Sequence, residues 1–257
     1  MNQAADAQQW DLVIEAGRTE RHYWRDLWRY RELFLFLAWR DILVRYKQTF
    51  FGVAWSVVRP VLTMVVFTFV FGRVAKLPSD GLPYPIMVYA AMLPWHFFSN
   101  SFSEASMSLV GSANLISKVY FPRMIIPVSK TLVSFVDFAI AFVIYLGLMI
   151  YYAVPLTWRF ATLPAFLLLS FLTAIGAGFL VASLNVRYRD FKYVVPFIVQ
   201  FGLYASPVGF SSEVIPENLR FLYSLNPIVG TIDGFRWALL GTARLYMPGF
   251  VLSILSL

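Results

Sequence analysis

Five long apolar stretches, separated by more polar loops, are the feature that most constrains the fold of this chain. Each stretch holds about 20 mostly apolar residues, and a helix of that length covers the roughly 30 Å of hydrocarbon in a bilayer. A hydrophobic fraction of 59% with 14% charged residues is typical of a chain solvated by lipid. The sequence therefore predicts an all-α integral membrane protein. Its predicted spans cover residues 53–71, 85–103, 129–153, 160–184 and 193–212.

Basic residues are concentrated before the first span and in alternate loops. Lys118 and Arg123 lie between the second and third spans, and Arg187 and Arg189 lie between the fourth and fifth. Cytoplasmic loops of membrane proteins carry an excess of lysine and arginine, so this asymmetry predicts that the N-terminus and both basic loops face the cytoplasm. We therefore expect a multi-pass protein of the bacterial cytoplasmic (inner) membrane.

The net charge of +7 fits the same topology. Most of the excess charge lies in the predicted cytoplasmic segments, where it orients the chain and contacts anionic headgroups of membrane lipids. A nucleic-acid partner is therefore not predicted. The sequence contains no cysteine, which excludes disulfides, thiolate nucleophiles and cysteine metal sites in this chain.

The segment 31–50 has the pattern of an amphipathic helix, after a lead over residues 1–30 that we predict to be flexible and cytoplasmic. Phe36, Trp39 and Leu43 recur at spacings of three and four, whereas Asp41 and Arg45 lie on roughly the opposite side. Such a helix is predicted to lie in the headgroup plane without crossing it. A soluble helix packed on another domain is the alternative. The remainder, 31–257, is predicted to be a single transmembrane domain.

Ionisable residues within the spans are candidates for function. Arg59 is close enough to the start of its span to reach the interface, so a structural explanation is available for it. Asp137 is a functional candidate, and its structural alternative is a partner such as Arg59 or a serine on a neighbouring helix. Glu104 is a third, isolated ionisable group. In the fourth span, Gly176 and Gly178 predict a close approach of two helices.

Two further segments depart from simple spans. The second half of the second span is too polar to face lipid on all sides, so we expect it to line a subunit contact or a path. The segment 213–241 mixes charged, aromatic, proline and glycine residues, which predicts short helices that dip into the outer interface. Residues 247–257 are about half a span long, and we expect a truncated sixth helix there.

Motifs of catalysis are missing from the sequence. It contains no phosphate-binding loop of the Walker type, no histidine pair at metal spacing and no nucleophile elbow. His22 and His96 have no acidic cluster nearby, so neither a catalytic residue nor a metal site is predicted. A chain with many spans and no catalytic residue is most simply a pore-forming subunit that another protein powers.

Four segments, in order along residues 31–241, resemble the ABC-2 type permeases that export polysaccharides. They are LAWRD at 37–41 with RYKQT at 45–49 and GVAW at 52–55, NLISKVYFPR at 114–123, NVRYRD at 185–190, and NP with GFRWALLG at 226–241. The resemblance implies a homodimer that associates with two separate ATP-hydrolysing subunits, which bind the ATP and Mg²⁺. Together they would export lipid-linked glycans such as O-antigen, capsule or teichoic-acid precursors.

The resemblance also implies a role for each segment of a fold with six transmembrane helices. Residues 31–50 would be an interface helix, 112–124 the coupling loop that docks on the ATPase, 185–192 a second contact, and 213–241 re-entrant helices that gate the external end. The chain departs from the family in its short last helix and in Arg59, where a neutral polar residue is expected. The implied coupling residues are Asn114, Lys118, Val119, Tyr120, Phe121, Pro122, Arg123, Arg187, Arg189 and Asp190.

Aromatic residues of the second span are candidates for a substrate path, because sugars stack their apolar faces on aromatic rings. An aromatic belt at the membrane interface is the alternative. An ABC-2 type permease for a small lipid or drug is a rival function. A secondary transporter would show inverted repeats, and an enzyme acting on polyprenyl phosphates would show clustered acids. The sequence shows neither pattern, which disfavours both of these alternatives. The predicted path residues are Tyr84, Tyr89, Trp95, Phe98 and Phe102.

Overall fold

The computed structural model describes residues 23–47, 52–79, 81–241 and 246–255, and the regular elements in these ranges are all helical. Most of the predicted lead, residues 1–22, and positions 48–50 of the predicted interface helix lie outside the described residues. The helices are α1 Tyr23–Arg29, α2 Arg31–Lys47, α3 Gly52–Phe67, α4 Tyr84–Gly111, α5 Ala113–Ile116, α6 Ile125–Tyr151, α7 Leu163–Arg187, α8 Phe191–Ala205, α9 Glu217–Tyr223, α10 Pro227–Leu240 and α11 Met247–Leu255.

Three of the five predicted spans are confirmed as helices long and apolar enough to cross a membrane. They are Ala54–Val74, Ile125–Tyr151 and Trp158–Arg187. The first combines α3 with a π-helical turn at Thr68–Val74, and the third adds the 3₁₀ turn Trp158–Thr162 to α7. These helices agree with the first, third and fourth predicted spans and make the chain a multi-pass membrane protein.

The second predicted span lies within α4, which is the central helix of the bundle. Its 28 residues could cross a bilayer, but its second half is too polar for a lipid-facing helix. Instead α4 is enclosed by α6, α7 and α10, and its buried residues extend from Ile86 to Ser108. Along most of α4 the structure therefore shows packing within the chain, where the sequence predicted a subunit contact or a path.

Two serine hydroxyl groups of α4 bond to the helix backbone, whereas those of Ser101 and Ser106 are buried without a hydrogen-bond partner among the described residues. The Ser108 hydroxyl donates to the carbonyl of Ala105 at 2.6 Å, and that of Ser99 donates to the carbonyl of His96 at 3.2 Å. Such bonds satisfy a polar group where water is absent. Polarity in this span therefore reflects close protein packing.

The fifth predicted span, 193–212, is wrong at its C-terminal end. Helix α8 ends at Ala205 after 15 residues, or about 22 Å, which is less than the thickness of the hydrocarbon layer. Ser206 is extended, with φ −101° and ψ 155°, because the following residue is Pro207 and a proline disfavours helical geometry in the residue before it. The apolar character of 206–212 belongs to an irregular segment packed on protein.

Two short helices, α9 and α10, occupy the segment 213–241. The Asn226 side chain accepts a hydrogen bond from the Ile228 amide and begins α10, which ends at Gly241 with φ 72°. Helix α10 is largely buried against α4, α7 and α11. Support by protein is thus confirmed, while re-entry into the membrane stays a prediction.

Long-range hydrogen bonds show which segments lie at each end of the bundle. Near the end of α7, the Asn185 amide donates to the carbonyl of Ser106, close to the end of α4. The loops that follow these helices, 112–124 and 187–190, therefore share one end. At the other end the Tyr145 hydroxyl, near the end of α6, donates to the carbonyl of Leu239 in α10. The segment 213–241 thus lies opposite the two basic loops.

Candidate functional site

Helix α2 has an apolar face that is exposed and a polar face that points into the bundle. Phe36, Trp39 and Leu43 are exposed, as expected for an amphipathic helix in contact with lipid. Asp41 and Arg45, however, do not project away from the protein, because they contact charged side chains of α4 and α6. The prediction of an amphipathic helix is correct, and the polar side of this helix contacts α4 and α6.

Ion pairs join α2 to α6 at two successive points along each helix. Asp41 lies 3.8 Å from Lys130, and four residues later Arg45 lies 2.8 Å from Asp137, measured between charged atoms. Arg45 also lies 3.8 Å from Glu104 of α4. Because both contact points advance along α6, helix α2 follows that helix. The sequence suggested that Glu104 is isolated, but the structure places it beside Arg45.

Asp137 is the acceptor at the centre of this contact. Besides Arg45, it accepts hydrogen bonds from the hydroxyl groups of Tyr46 and Ser56, the latter at 3.3 Å. Burial, together with the hydrogen bond to Asp137, raises the pKa of Tyr46 to about 12, so this hydroxyl remains a neutral donor at physiological pH. Of the two partners considered from the sequence, the neighbouring serine is confirmed. The principal cation is Arg45 and not Arg59.

The loop 112–124 divides into a buried part and an exposed part. Phe121 is 5% exposed and packs with Leu37, Ile125 and Ile126, which joins the loop to α2 and to the start of α6. In contrast, Val119 is 49% exposed and Tyr120 is 38% exposed. The loop therefore presents its apolar tip outward while Phe121 connects it to the bundle.

The charged residues of this loop and the polar Asn114 lie on its surface. Asn114, Lys118 and Arg123 are exposed, whereas Pro122 is buried beside Phe121. A cavity of about 270 Å³ opens along the loop between residues 116 and 123. Of the predicted coupling residues in this loop, five can contact another protein directly, and Phe121 and Pro122 instead hold the loop in place.

The second basic loop is exposed at the same end of the bundle. Arg187, Arg189 and Asp190 all have exposed side chains, and the Arg187 guanidinium lies 5.3 Å from the ring centroid of Tyr188. Their association with an ATPase is not tested by this geometry and stays a prediction.

The predicted substrate-path residues are mostly part of the core. Tyr89, Trp95 and Phe102 are buried, and the Tyr89 hydroxyl donates to the carbonyl of Ala141 at 3.2 Å. Phe98 is half-buried and stacks on Phe102 with 5.8 Å between ring centroids, while the half-buried Tyr84 donates to the carbonyl of Gly209. The structure therefore shows these rings as packing residues, and their contact with sugar stays a prediction.

Arg236 and Asp233 of α10 form a cluster that the sequence did not single out. Arg236 donates to the carbonyls of Phe210 at 2.6 Å and Val208 at 3.1 Å, and the Ser212 hydroxyl donates to Asp233 at 2.8 Å. These bonds fix the irregular segment after α8 to α10. A signal was present, because a charged pair three residues apart in an apolar helix requires partners.

A second feature that sequence analysis missed is a cavity of about 260 Å³ between α2, α3, α4 and α6. Arg59, His96 and Ser134 line it, although they are distant in the sequence. Among the described residues no group of three or more metal-ligating side chains occurs.

Comparison with known proteins gives one family and several relatives. The family model described as "ABC-2 type transporter" matches residues 32–240. An O-antigen export system permease protein RfbA of Klebsiella pneumoniae is 25% identical over 235 residues, or 88% of this chain and 90% of that protein. An RfbA of Myxococcus xanthus is 27% identical over 215 residues, or 82% of each chain. The inner membrane transport permease YadH of Escherichia coli K12 is 24% identical over 199 residues, or 72% of this chain and 76% of that protein.

Proposed function

Since this chain belongs to the ABC-2 type transporter family, we propose that it is the channel-forming subunit of an ATP-driven exporter of lipid-linked polysaccharide. The observation that carries this proposal is the similarity, over more than four fifths of the chain, to permeases named for O-antigen export. The glycan would be of the O-antigen, capsule or teichoic-acid type, and would leave across the cytoplasmic membrane.

Two copies of this chain would form the channel together with two nucleotide-binding subunits. ATP and Mg²⁺ would bind to those subunits, and this chain would contribute no catalytic group. The exposed apolar tip of the loop 112–124, flanked by Lys118 and Arg123, supports such docking. An apolar centre with charged residues around it is the usual composition of a protein interface.

Force applied at this loop has a direct route into the bundle. Phe121 packs against Leu37 of α2, and α2 is paired to α6 through Arg45 and Asp137. A rigid displacement of the loop would therefore move α2 and α6 together rather than deform the loop alone. The loop 187–190 lies at the same end and would provide the second contact.

Loss of the chain from its host tests the proposed function. Without it, lipid-linked glycan should accumulate inside the cell and surface glycan should fall, and a plasmid copy should restore both. Glycan labelled with a lectin on intact and on permeabilised cells measures the two pools. Normal surface glycan in the deletion strain would contradict the proposal and favour a permease for a small lipid or drug.

A further inference from the structure

An apolar groove lies where α1 and α2 meet the start of α6. Its volume of about 540 Å³ is within the range of roughly 300–1,000 Å³ found for binding sites. The half-buried Leu27 and Phe34 pack with the buried Ile125 at its base. At its edge, Trp28 is 70% exposed and Leu35 is 60% exposed. Contiguous exposed apolar surface of this kind marks a site of interaction.

The groove lies on a different side of α2 from the apolar face that is expected to contact lipid. Arg31, Phe34 and Leu35 line the groove, whereas Phe36 and Trp39 belong to the exposed apolar face. At 3.6 residues per turn, the two sets point about 120° apart around the helix axis. Burial of the apolar face in lipid therefore leaves the groove for another occupant.

The N-terminal part of the chain contains an apolar segment that suits such a groove. Residues 1–22 are mostly polar, but Trp10, Val13 and Ile14 recur at spacings of three and four. This spacing would place the three side chains on one face of a helix, and the glycine that follows, Gly17, is common just beyond a helix C-terminus. An amphipathic helix with its apolar face in a groove is a recurring mode of peptide recognition.

Charge favours the protein over the lipid surface as the partner of this segment. Residues 1–15 carry three acids, Asp6, Asp11 and Glu15, and no lysine or arginine. Anionic headgroups at the cytoplasmic face of a membrane repel such a segment. Residues 23–47, which form α1 and α2, carry six basic and three acidic residues and therefore attract it. The exposed arginines beside the groove are Arg25, Arg29 and Arg31.

The segment is also tethered close to the groove. Eight residues separate Ile14 from Tyr23, where α1 begins, and they span at most about 30 Å when extended. Leu27 of the groove lies only four residues, or about 6 Å of helical rise, beyond Tyr23. A short linker gives a tethered segment an effective concentration in the millimolar range. An affinity of about 0.1 mM would therefore suffice to keep the groove mostly occupied.

We infer that the segment 10–14 of this chain binds in the groove between α1, α2 and α6. Its apolar face covers the exposed edge of the groove, and its acids lie near Arg31, whose guanidinium is 5.4 Å from the ring centroid of Trp28. Met124, which directly follows the loop 112–124, also lines the groove. The bound segment therefore holds α1 and α2 against the end of that loop, and part of the predicted lead belongs to the transmembrane domain.

Photo-crosslinking in the full-length chain tests the inference. The probe is p-benzoylphenylalanine, incorporated in place of Trp10 and irradiated in native membranes, and mass spectrometry identifies the cross-linked peptides. We expect adducts with residues 27–35 and 124–128 of the same chain. The same probe in place of Gln3 is the control, because this position is in the same segment of the chain but outside the apolar face. It should give only the background yield of an unbound segment.

Two aspartate substitutions, each combined with the probe at position 10, test whether the apolar face is needed. Ile14→Asp places a carboxylate in the groove, which should weaken binding about a hundredfold and lower the cross-link yield about tenfold. Gln8→Asp is the matched control, because it adds the same charge on the opposite face and should leave the yield unchanged. Both changes lie outside the helical bundle, so a folding defect does not complicate the comparison.

Other occupants of the groove or other partners of the segment would give different adducts. Cross-links from position 10 to lipid acyl chains, to a second copy of this chain or to another protein would each overturn the inference. Co-expression of tagged and untagged chains separates a second copy from the same chain on a denaturing gel. Equal yields at positions 3 and 10, or equal yields in Ile14→Asp and Gln8→Asp, would also overturn it. The measurement requires neither ATPase nor transport, so its result is independent of the proposed function.

Discussion

Tyr120 and Phe121 are adjacent in the loop 112–124, and the structure places them in different surroundings. Phe121 is buried in a cluster with Leu37, Ile125 and Ile126, whereas Tyr120 is exposed at the end of the bundle. From the sequence both were expected to anchor an ATPase. A single pattern of aromatic and basic residues cannot separate the two roles, because burial depends on α2, which is some 80 residues away.

Alanine substitutions at these two positions should therefore give different defects. Tyr120→Ala should weaken binding of the nucleotide-binding subunit by about 2 kcal/mol, as truncation of an interface aromatic does. Phe121→Ala should instead lower the stability of the chain itself by about 3–5 kcal/mol, because it opens a cavity in a packed cluster. Co-purification measures the first effect, and thermal unfolding of the isolated chain in detergent measures the second.

The unfolding measurement on Tyr120→Ala and the co-purification of Phe121→Ala serve as reciprocal controls. Equal unfolding temperatures for wild type and Phe121→Ala would show that the buried cluster does not support the loop. Normal co-purification and normal ATPase coupling in Tyr120→Ala would remove this residue from the proposed interface.

At the scale of elements, the close approach predicted for the fourth span is confirmed at one of its two glycines. A Cβ atom at Gly178 would lie 2.6 Å from the Cβ atom of Ala105, so the backbone of α7 packs directly against the Ala105 side chain of α4 there. A Cβ atom at Gly176 would have no neighbour within 4 Å. The two glycines are two residues apart in a helix and thus on different faces, and the sequence alone did not show which face meets α4.

Alanine at these glycines should consequently have opposite effects on stability. Gly178→Ala should destabilise the chain by about 1–3 kcal/mol, because the added methyl group overpacks the contact between α4 and α7. Gly176→Ala should be neutral or should stabilise α7 by up to about 1 kcal/mol, because alanine favours the helix. Thermal unfolding of both variants in the same detergent gives the comparison. An equal effect of the two substitutions would refute the asymmetric contact.

An element could be predicted from the sequence where neighbouring residues determine it, and could not where residues distant in the sequence do. The confirmed spans at Ala54–Val74, Ile125–Tyr151 and Trp158–Arg187 follow from local apolar character. The early end of α8 follows from Pro207, a local signal that the apolar run concealed. The orientation of α2 could not be predicted from the sequence, because the charged residues that pair with its polar face lie on α4 and α6.

At the scale of the whole molecule, the arrangement of loops agrees with the distribution of charge. The two basic loops share one end of the bundle, and the segment 213–241 lies at the other, as the hydrogen bonds of Asn185 and Tyr145 show. Consecutive spans cross the membrane in opposite directions. The order of spans and charged loops along the sequence therefore predicts which loops share an end of the bundle. Which end faces the cytoplasm is a separate matter, and it is the charge bias that predicts it.

Cysteine labelling decides that orientation, and the chain is well suited to it because it contains no cysteine. Asn218 is exposed at the end with α9, and Asn114 and Arg189 are exposed at the end with the basic loops. Ser211 is a poor position, because it is buried.

A membrane-impermeant maleimide should label Asn218→Cys in intact spheroplasts, and should label Asn114→Cys and Arg189→Cys only after the membrane is opened. Since lysine and arginine are retained on the cytoplasmic side, the reverse pattern would mean that the charge bias is overridden in this chain. The loop 112–124 could then not reach a cytoplasmic ATPase, so the result also tests the coupling on which the proposed export depends.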